Sequence, residues 1–149
     1  MAFSPYLAFA GNCREAFTRY HEIFGGDLVL LAMSDMPAEE PVPEDKAALI
    51  MHAALTSPDA LLMGADDPSG GFDGHVRGMC VSVSAPTVER AKTVFAALAE
   101  GGETQMALGE TFFSPGFGMC SPSLAGGAFA DSCVSVTLSS QLSESVTTS

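Results

Sequence analysis

The sequence predicts a single α+β domain over residues 1–149, built from two βαβββ repeats that form a curved mixed sheet around a cavity. Length is the first observation, because 149 residues suffice for one compact domain with a hydrophobic core. Composition is the second, since 47% apolar and 16% charged residues are typical of a packed globule. The third is an internal repeat: the glycine pairs Gly25–Gly26 and Gly101–Gly102 lie 76 residues apart, each behind a helical pattern.

The first repeat, about residues 3–66, begins with a short aromatic strand from Phe3 to Phe9. Asn12 as N-cap, with Glu15 three residues later, predicts that a helix starts there. Apolar residues at helical spacing give that helix one buried face: Ala16, Phe17, Tyr20, Ile23 and Phe24. The glycine pair at 25–26 ends it.

Three further strands complete this repeat. The aliphatic run from Asp27 to Met36 predicts the first, and a proline-rich acidic connection follows it. Ala47 to Thr56 and Leu61 to Gly64 predict a hairpin that turns around Pro58 and Asp59. A loop rich in Gly, Asp, Pro and Ser then leads to the second repeat.

The second repeat, about residues 76–136, follows the same order. Arg77 to Val83 predicts its first strand, and a helix is marked by apolar residues on one face: Val88, Ala91, Phe95 and Leu98. Glu103 to Thr111 predicts the next strand, and weaker patterns predict strands near Met119 and at 129–136. Residues 137–149 read as a polar tail. One helix covers only one face of each sheet, so the bare faces should meet each other or a partner chain.

The net charge, the first residues and the cysteine spacing predict which partners to exclude, the compartment and the state of the thiols. The net charge of −12 would repel nucleic acid and anionic membrane surfaces, so we expect neither as a partner. The first residues have no basic segment and no long apolar run, which predicts a cytoplasmic protein. The four cysteines show no CxxC spacing and are expected to be buried, reduced thiols.

Three strings, PYLAFAGNCREAFTRYHEIFGG, IMHAALTSPDALLMGADD and ETFFSPGFGM, occur in this order along the chain. Together they resemble the PhnB-like, or demethylubiquinone methyltransferase-like, branch of the vicinal oxygen chelate superfamily of glyoxalase, bleomycin-resistance and dioxygenase proteins. The resemblance implies paired βαβββ units and a homodimer. It also implies that a divalent metal, which several members bind, is the cofactor to look for.

The ending departs from that family pattern. Relatives continue after the FGM string with an aromatic-rich final strand that typically contains tryptophan, whereas this chain reads CSPSLAGGAFADSCVSV and has no tryptophan. A divergent ending or a reading-frame shift in the gene would each produce this difference. Any function that the last strand carries in relatives is therefore not transferred.

His52 is the histidine best placed for chemistry, because it lies in a strand, where its ring could point into the cavity. Strand alternation predicts that it shares a face with Ile50 and Ala54. Glu110 is the carboxylate expected to approach it, so His52 and Glu110 are the candidate metal ligands, and no third ligand is visible. His21 and His75 are expected to be a helix-surface and a loop residue.

The other candidate pocket-lining residues are Tyr6, Cys80 and Phe113. The carboxylate neighbours Asp66–Asp67 and Glu39–Glu40 are expected to stay solvated on loops rather than act as acid and base. Cys13 is the one cysteine placed at a helix start, where a thiol can be activated, but packing beneath the helix explains it equally well. No residue is assigned a catalytic role.

The sequence motifs of several common enzyme classes are absent. Neither GxGxxG after a strand nor GxxxxGK[ST] nor GxSxG occurs, and nothing resembles a methyl-donor nucleotide site. Three hypotheses therefore stand: a small-molecule-binding protein with no metal or a degraded metal site, a metal-dependent lyase or dioxygenase-like enzyme acting on a small oxygenated substrate, and a dimeric scaffold without a pocket. The sequence names no ligand.

Overall fold

The computed structural model describes residues 3–37, 42–74, 78–123 and 133–138. The first repeat contains β1 (Tyr6–Phe9), α1 (Cys13–Phe24), β2 (Asp27–Ala32), β3 (Ile50–Ser57) and β4 (Ala60–Asp66). The second repeat contains β5 (Cys80–Ala85), α2 (Val88–Ala99), β6 (Glu103–Gly109), β7 (Phe117–Ser121) and β8 (Cys133–Leu138). Neither α1 nor α2, the two α-helices of these ranges, has the length and apolar character needed to cross a membrane.

Each repeat forms a four-stranded mixed sheet with one helix. The strand order is β1-β4-β3-β2 in the first sheet and β5-β8-β7-β6 in the second. In both, the first strand of the repeat pairs in parallel with the last, and the remaining pairs are antiparallel. The predicted α+β fold of two βαβββ repeats is thereby confirmed, with the described strands divided between two sheets, one in each of two compact units.

Helix α1 lies against one face of the first sheet, and the core of the first repeat lies between them. Phe9 of β1 and Phe17 of α1 are completely buried, and their rings meet edge to face with centroids 5.9 Å apart. Tyr20 continues the stack one turn further along the helix, again at 5.9 Å. Such aromatic pairs add to the free energy gained by burying their area, so the helical periodicity of the sequence identified this face correctly.

The start of α1 is held by a distant carboxylate. The helix begins at Cys13 as predicted, but the Asn12 side chain makes no capping hydrogen bond. Oδ1 of Asp66 instead accepts the backbone N–H groups of Gly11 and Cys13, both at 3.0 Å. The predicted capping box is therefore wrong: the helix start is held by a buried carboxylate at the end of β4, which binds the amides of Gly11 and Cys13, whereas a local cap would bind those of the second or third helical residue.

Several boundaries differ from the prediction. Strand β1 starts at Tyr6, and Phe3 is almost fully exposed before it. Strand β2 ends at Ala32, where the Asp35 carboxylate accepts the Ala32 N–H at 2.9 Å and the chain turns into a short 3₁₀ helix. Strand β8 continues to Leu138, which is buried, so the strand takes in the first two residues of the predicted polar tail. The remainder of that tail, 139–149, lies outside the described residues.

Candidate functional site

The first sheet presents an apolar surface on the face opposite α1, the helix-free face. Strand alternation and the pairing register assign the side chains to it. The large ones are Tyr6, Val29, Leu31, His52, Leu61 and Met63. Tyr6, Val29 and Leu31, which lie on the edge strands β1 and β2, remain 53%, 49% and 41% exposed. An exposed apolar patch of this kind is typical of a binding surface.

Tyr6 and His52 form the polar feature of the helix-free face. Their ring centroids lie 6.1 Å apart with the planes inclined by 35°. Leu31 pairs directly with His52 across β2 and β3, so an aliphatic side chain flanks the imidazole. The pair brings an imidazole and a phenol, both able to donate and accept hydrogen bonds, to one apolar surface. Two of the predicted pocket-lining residues therefore lie together.

The predicted face of His52 needs one correction. The pairing of β2 with β3 shifts between Leu31 and Ala32, so one extra residue is inserted in β3 before His52. Ile50 consequently joins Ala53 in the fully buried core instead of sharing a face with His52, whereas Ala54 does share it. Simple alternation fails at this point because a bulge reverses the side on which the preceding side chain lies.

Glu110 and Phe113 lie in the second unit, in the connection between β6 and β7. Glu110 follows the end of β6 at Gly109 and is exposed. Phe113 is half exposed and packs edge to face against Phe117 with centroids 5.0 Å apart. Because His52 belongs to the first unit, the approach of Glu110 to His52 stays a prediction.

Cys80 opens β5, and Cys133 is its direct partner on the parallel strand β8. Cys80 is exposed and Cys133 is half-buried, whereas Cys13 and Cys120 are completely buried. The prediction of four buried thiols is thus wrong for Cys80, which lies on an edge strand beside a second sulfur. All four cysteines are free thiols.

The carboxylate pair Asp66–Asp67 divides into two different structural roles. Asp66 was expected in a solvated loop but is only 4% exposed and accepts three backbone N–H groups, the third from Ile50 at 2.7 Å. Asp67 is partly exposed and organises the following turn, where hydrogen bonds from Ser69 and Phe72 lower the pKa of its carboxyl group. Both carboxylates serve the backbone, and neither faces the Tyr6–His52 pair.

The donor set of the described residues does not fit a three-ligand metal site. Nowhere in residues 3–37, 42–74, 78–123 and 133–138 do three side chains of the His, Cys, Asp and Glu types gather around one point. His21 lies near the end of α1, with Nε2 3.1 Å from the carbonyl oxygen of Gly26. His75, Glu39 and Glu40 lie outside the described residues.

Sequence reasoning missed most of the apolar partners of His52. Val29, Leu31 and Met63 are placed beside Tyr6 and His52 by the register of four strands. The sequence offered no signal for this, because residues 28–32 are continuously aliphatic, and only the structure shows that every second residue of β2 is more exposed than its neighbours. Cys133 was missed as the partner of Cys80, because the pairing of β5 with β8 joins segments 53 residues apart.

One curated protein is similar along most of the chain. Protein YjdN of Escherichia coli K12 is 32% identical over 128 residues, which cover 79% of this chain and 86% of YjdN. No family model matches the sequence. An identity of this level over this length indicates common ancestry and a shared fold.

Solved structures agree with this relationship. Protein PA1353 from Pseudomonas aeruginosa is 35% identical, with a TM-score of 0.80 and coverage of 93% of this chain and 97% of PA1353. The PhnB protein from Bacillus cereus is 24% identical with a TM-score of 0.67, covering 93% and 99% of the two chains. A glyoxylase, bleomycin resistance protein and dioxygenase domain from Frankia, 16% identical over 93% and 96%, has the same fold at a TM-score of 0.58.

Proposed function

Because the chain belongs to the PhnB-like branch of the vicinal oxygen chelate superfamily, we propose that it binds a small molecule on the helix-free face of its first sheet. The observation that carries the proposal is the Tyr6–His52 ring pair among exposed apolar side chains. Ligand sites are mostly apolar surfaces with a few polar groups that fix orientation. This face has that composition.

The chemistry of the surface favours a neutral ligand with an apolar body and at least one oxygen. Val29 and Leu31 supply apolar contact area, while the His52 imidazole and the Tyr6 hydroxyl can bond to a carbonyl or hydroxyl group. The net charge of −12 disfavours an anionic ligand. A small ketone, phenol or quinone-like molecule has the required character.

A fluorescence titration tests the site with a defined probe. The neutral dye N-phenyl-1-naphthylamine should bind the native protein, and Leu31→Ser should weaken binding about tenfold, the effect of losing one buried aliphatic contact. Met106→Ser is the matched control, because Met106 is a similarly exposed strand residue, 46% against 41%, in the other unit. The proposed site would be refuted if both variants weakened binding equally, or if neither variant weakened it.

The alternative function is that of a metal-dependent lyase or dioxygenase-like enzyme. We rank it second because the described residues offer His52 without two further ligands. Elemental analysis and thermal melts with zinc, manganese, nickel and iron(II) test it, with His52→Ala as the comparison. A near-stoichiometric ion and a melting shift that His52→Ala abolishes would reverse the ranking, whereas no ion and no shift would uphold it.

We further propose a homodimer, on the strength of the family resemblance, and a cytoplasmic location. Sedimentation equilibrium should then give a mass of twice 15.4 kDa. A monomer mass at all concentrations would refute the dimer without affecting the proposed ligand site, which lies within one unit of one chain.

A further inference from the structure

Cys80 and Cys133 have the geometry of a thiol pair that can be oxidised. They are direct partners at the start of the parallel strands β5 and β8, and their Sγ atoms lie 2.8 Å apart in a thiol–thiol hydrogen bond. Neighbouring strands are about 4.8 Å apart, which falls within the range of Cα separations that disulfides span. A bond between the two sulfurs therefore requires no rearrangement of the sheet.

Exposure gives the two sulfurs different roles. Cys80 is exposed, so a small oxidant can reach it, whereas Cys133 is half-buried behind it. Burial and the hydrogen bond with Cys80 raise the pKa of the Cys133 thiol to about 12, which keeps Cys133 protonated. Thiolates, not thiols, are the nucleophiles, so we expect Cys80 to react first with an oxidant.

The third cysteine of this unit is placed differently. Cys120 is completely buried and pairs with Val134, the neighbour of Cys133 along β8. Alternation therefore directs its side chain to the opposite face of the sheet. Cys120 therefore serves as a control, because it lies in the same sheet as the pair but is not accessible to an oxidant as Cys80 is.

We propose that Cys80 and Cys133 form a reversible intramolecular disulfide when the protein meets hydrogen peroxide or a related small peroxide. The Cys80 thiolate attacks a peroxide oxygen, the O–O bond breaks, and a sulfenic acid and hydroxide result. That hydroxide takes the proton of the Cys133 thiol and becomes water. The resulting Cys133 thiolate attacks the Cys80 sulfur, the S–O bond breaks as the S–S bond forms, and the second hydroxide released takes up the proton that Cys80 first lost. In total, two thiols and one hydrogen peroxide become one disulfide and two waters, an organic hydroperoxide giving one alcohol and one water instead, and the sulfurs supply the two electrons.

This modification goes beyond ligand binding and does not depend on it. Cytosolic disulfides are usually transient and associated with redox sensing or catalysis. The proposed bond would connect an exposed edge strand to its neighbour and withdraw the one exposed thiol of the described residues from other reactions. Thiol reductants would restore the starting state.

Peptide mapping of the native protein tests the proposal without any substitution. Trypsin should release residues 78–90 with Cys80, and it has no site after Lys92, so Cys120 and Cys133 remain together in 93–149. After one equivalent of peroxide, we expect these two peptides to be linked, two of the four thiols to be lost, and dithiothreitol to reverse both changes. Chymotryptic cleavage after Phe129 separates Cys120 from Cys133 and should leave the link on Cys133.

Variants add a second line of evidence. Cys80→Ser and Cys133→Ser should abolish the link, and Cys120→Ala should retain it. A link that maps to Cys120 would overturn the proposal. Oxidation of Cys80 to sulfinic acid without a link, or links only between separate chains, would also overturn it.

Discussion

The buried carboxylate of Asp66 organises three separate segments of the first unit. Its two oxygens accept N–H groups from Gly11, Cys13 and Ile50. Asp66→Asn leaves one acceptor oxygen and turns an amide N–H₂ group toward a backbone donor. We expect the free energy of unfolding to fall by about 2–4 kcal/mol, the cost of leaving buried donors unsatisfied, measured by urea denaturation.

Asp67→Asn is the control for this substitution. It makes the same chemical change one residue further along, where the carboxylate bonds within an exposed turn. The loss of stability should be clearly smaller than for Asp66→Asn. Equal losses would show that Asp66 contributes no more than an ordinary surface carboxylate.

The thiol of Cys13 predicts a loss of stability at alkaline pH. Burial, and next the negative charge of Asp66, raise the pKa of Cys13 from 9.0 to about 12. Above pH 9 the unfolded chain therefore releases the Cys13 proton while the folded protein retains it. The contribution of Cys13 to stability is complete below pH 9 and is lost between about pH 9 and 12.

Urea denaturation from pH 7 to 11 measures this effect. The native protein should lose stability steadily above pH 9, and Cys13→Ala should lose less over the same interval. Some decrease should remain, because burial also raises the pKa of Cys120 and Cys133. Identical decreases in native protein and Cys13→Ala would contradict the assignment.

Individual residues also show which parts of the site were predictable from the sequence and which were not. His52 is predicted as a pocket-lining residue from its position in a strand and Tyr6 from the family resemblance, and the structure brings their rings together. The role of Asp66 was not predictable, since its partners Gly11 and Ile50 lie 55 and 16 residues away. A short-range pattern cannot specify a hydrogen bond that depends on the tertiary fold.

Among the elements, β4 contains a glycine that permits close packing of α1. A Cβ atom at Gly64 would lie 2.8 Å from the Leu7 carbonyl oxygen and the Phe17 ring, and 2.9 Å from the Phe9 ring. Gly64→Ala must therefore push the helix or the rings away from the sheet. We expect a loss of about 1–3 kcal/mol in unfolding free energy, typical of overpacking.

Gly109→Ala provides the matched strand control. Gly109 ends β6, and a Cβ atom there would meet nothing nearer than 4.0 Å. Thermal melts should show a change within about 0.5 kcal/mol, as for ordinary surface substitutions. If Gly109→Ala costs as much as Gly64→Ala, the loss reflects backbone propensity in a strand instead of contact with α1.

Elements were predictable to the extent that their patterns are local. Helix α1 was predicted from its periodicity and occupies Cys13–Phe24, and β2 and β6 begin at Asp27 and Glu103, 76 residues apart as the repeat requires. The bulge in β3 was not predictable, because it depends on the partner strand. That bulge, and not the local alternation, determines which side chains accompany His52.

For the whole molecule, the order of elements was sufficient to predict the fold. Two βαβββ repeats were derived from glycine spacing and apolar patterns, and both sheets have the same strand order. The second unit was less clear in sequence because residues 121–130, from the end of β7 towards β8, are rich in Ser, Gly and Ala and the apolar patterns around them are weak. Function is harder to predict, since one fold supports many activities, and here it rests on the composition of one sheet face.

The most direct test of that account is a two-dimensional ¹H–¹⁵N NMR spectrum of the native protein titrated with small neutral ketones, phenols and quinones. A ligand that binds as proposed should produce its largest saturable shifts in β1, β2 and β3, around Tyr6, Leu31 and His52, and His52→Ala should weaken its binding. Shifts confined to β5–β8, or the absence of saturable shifts for every compound class, would contradict a ligand site on the helix-free face.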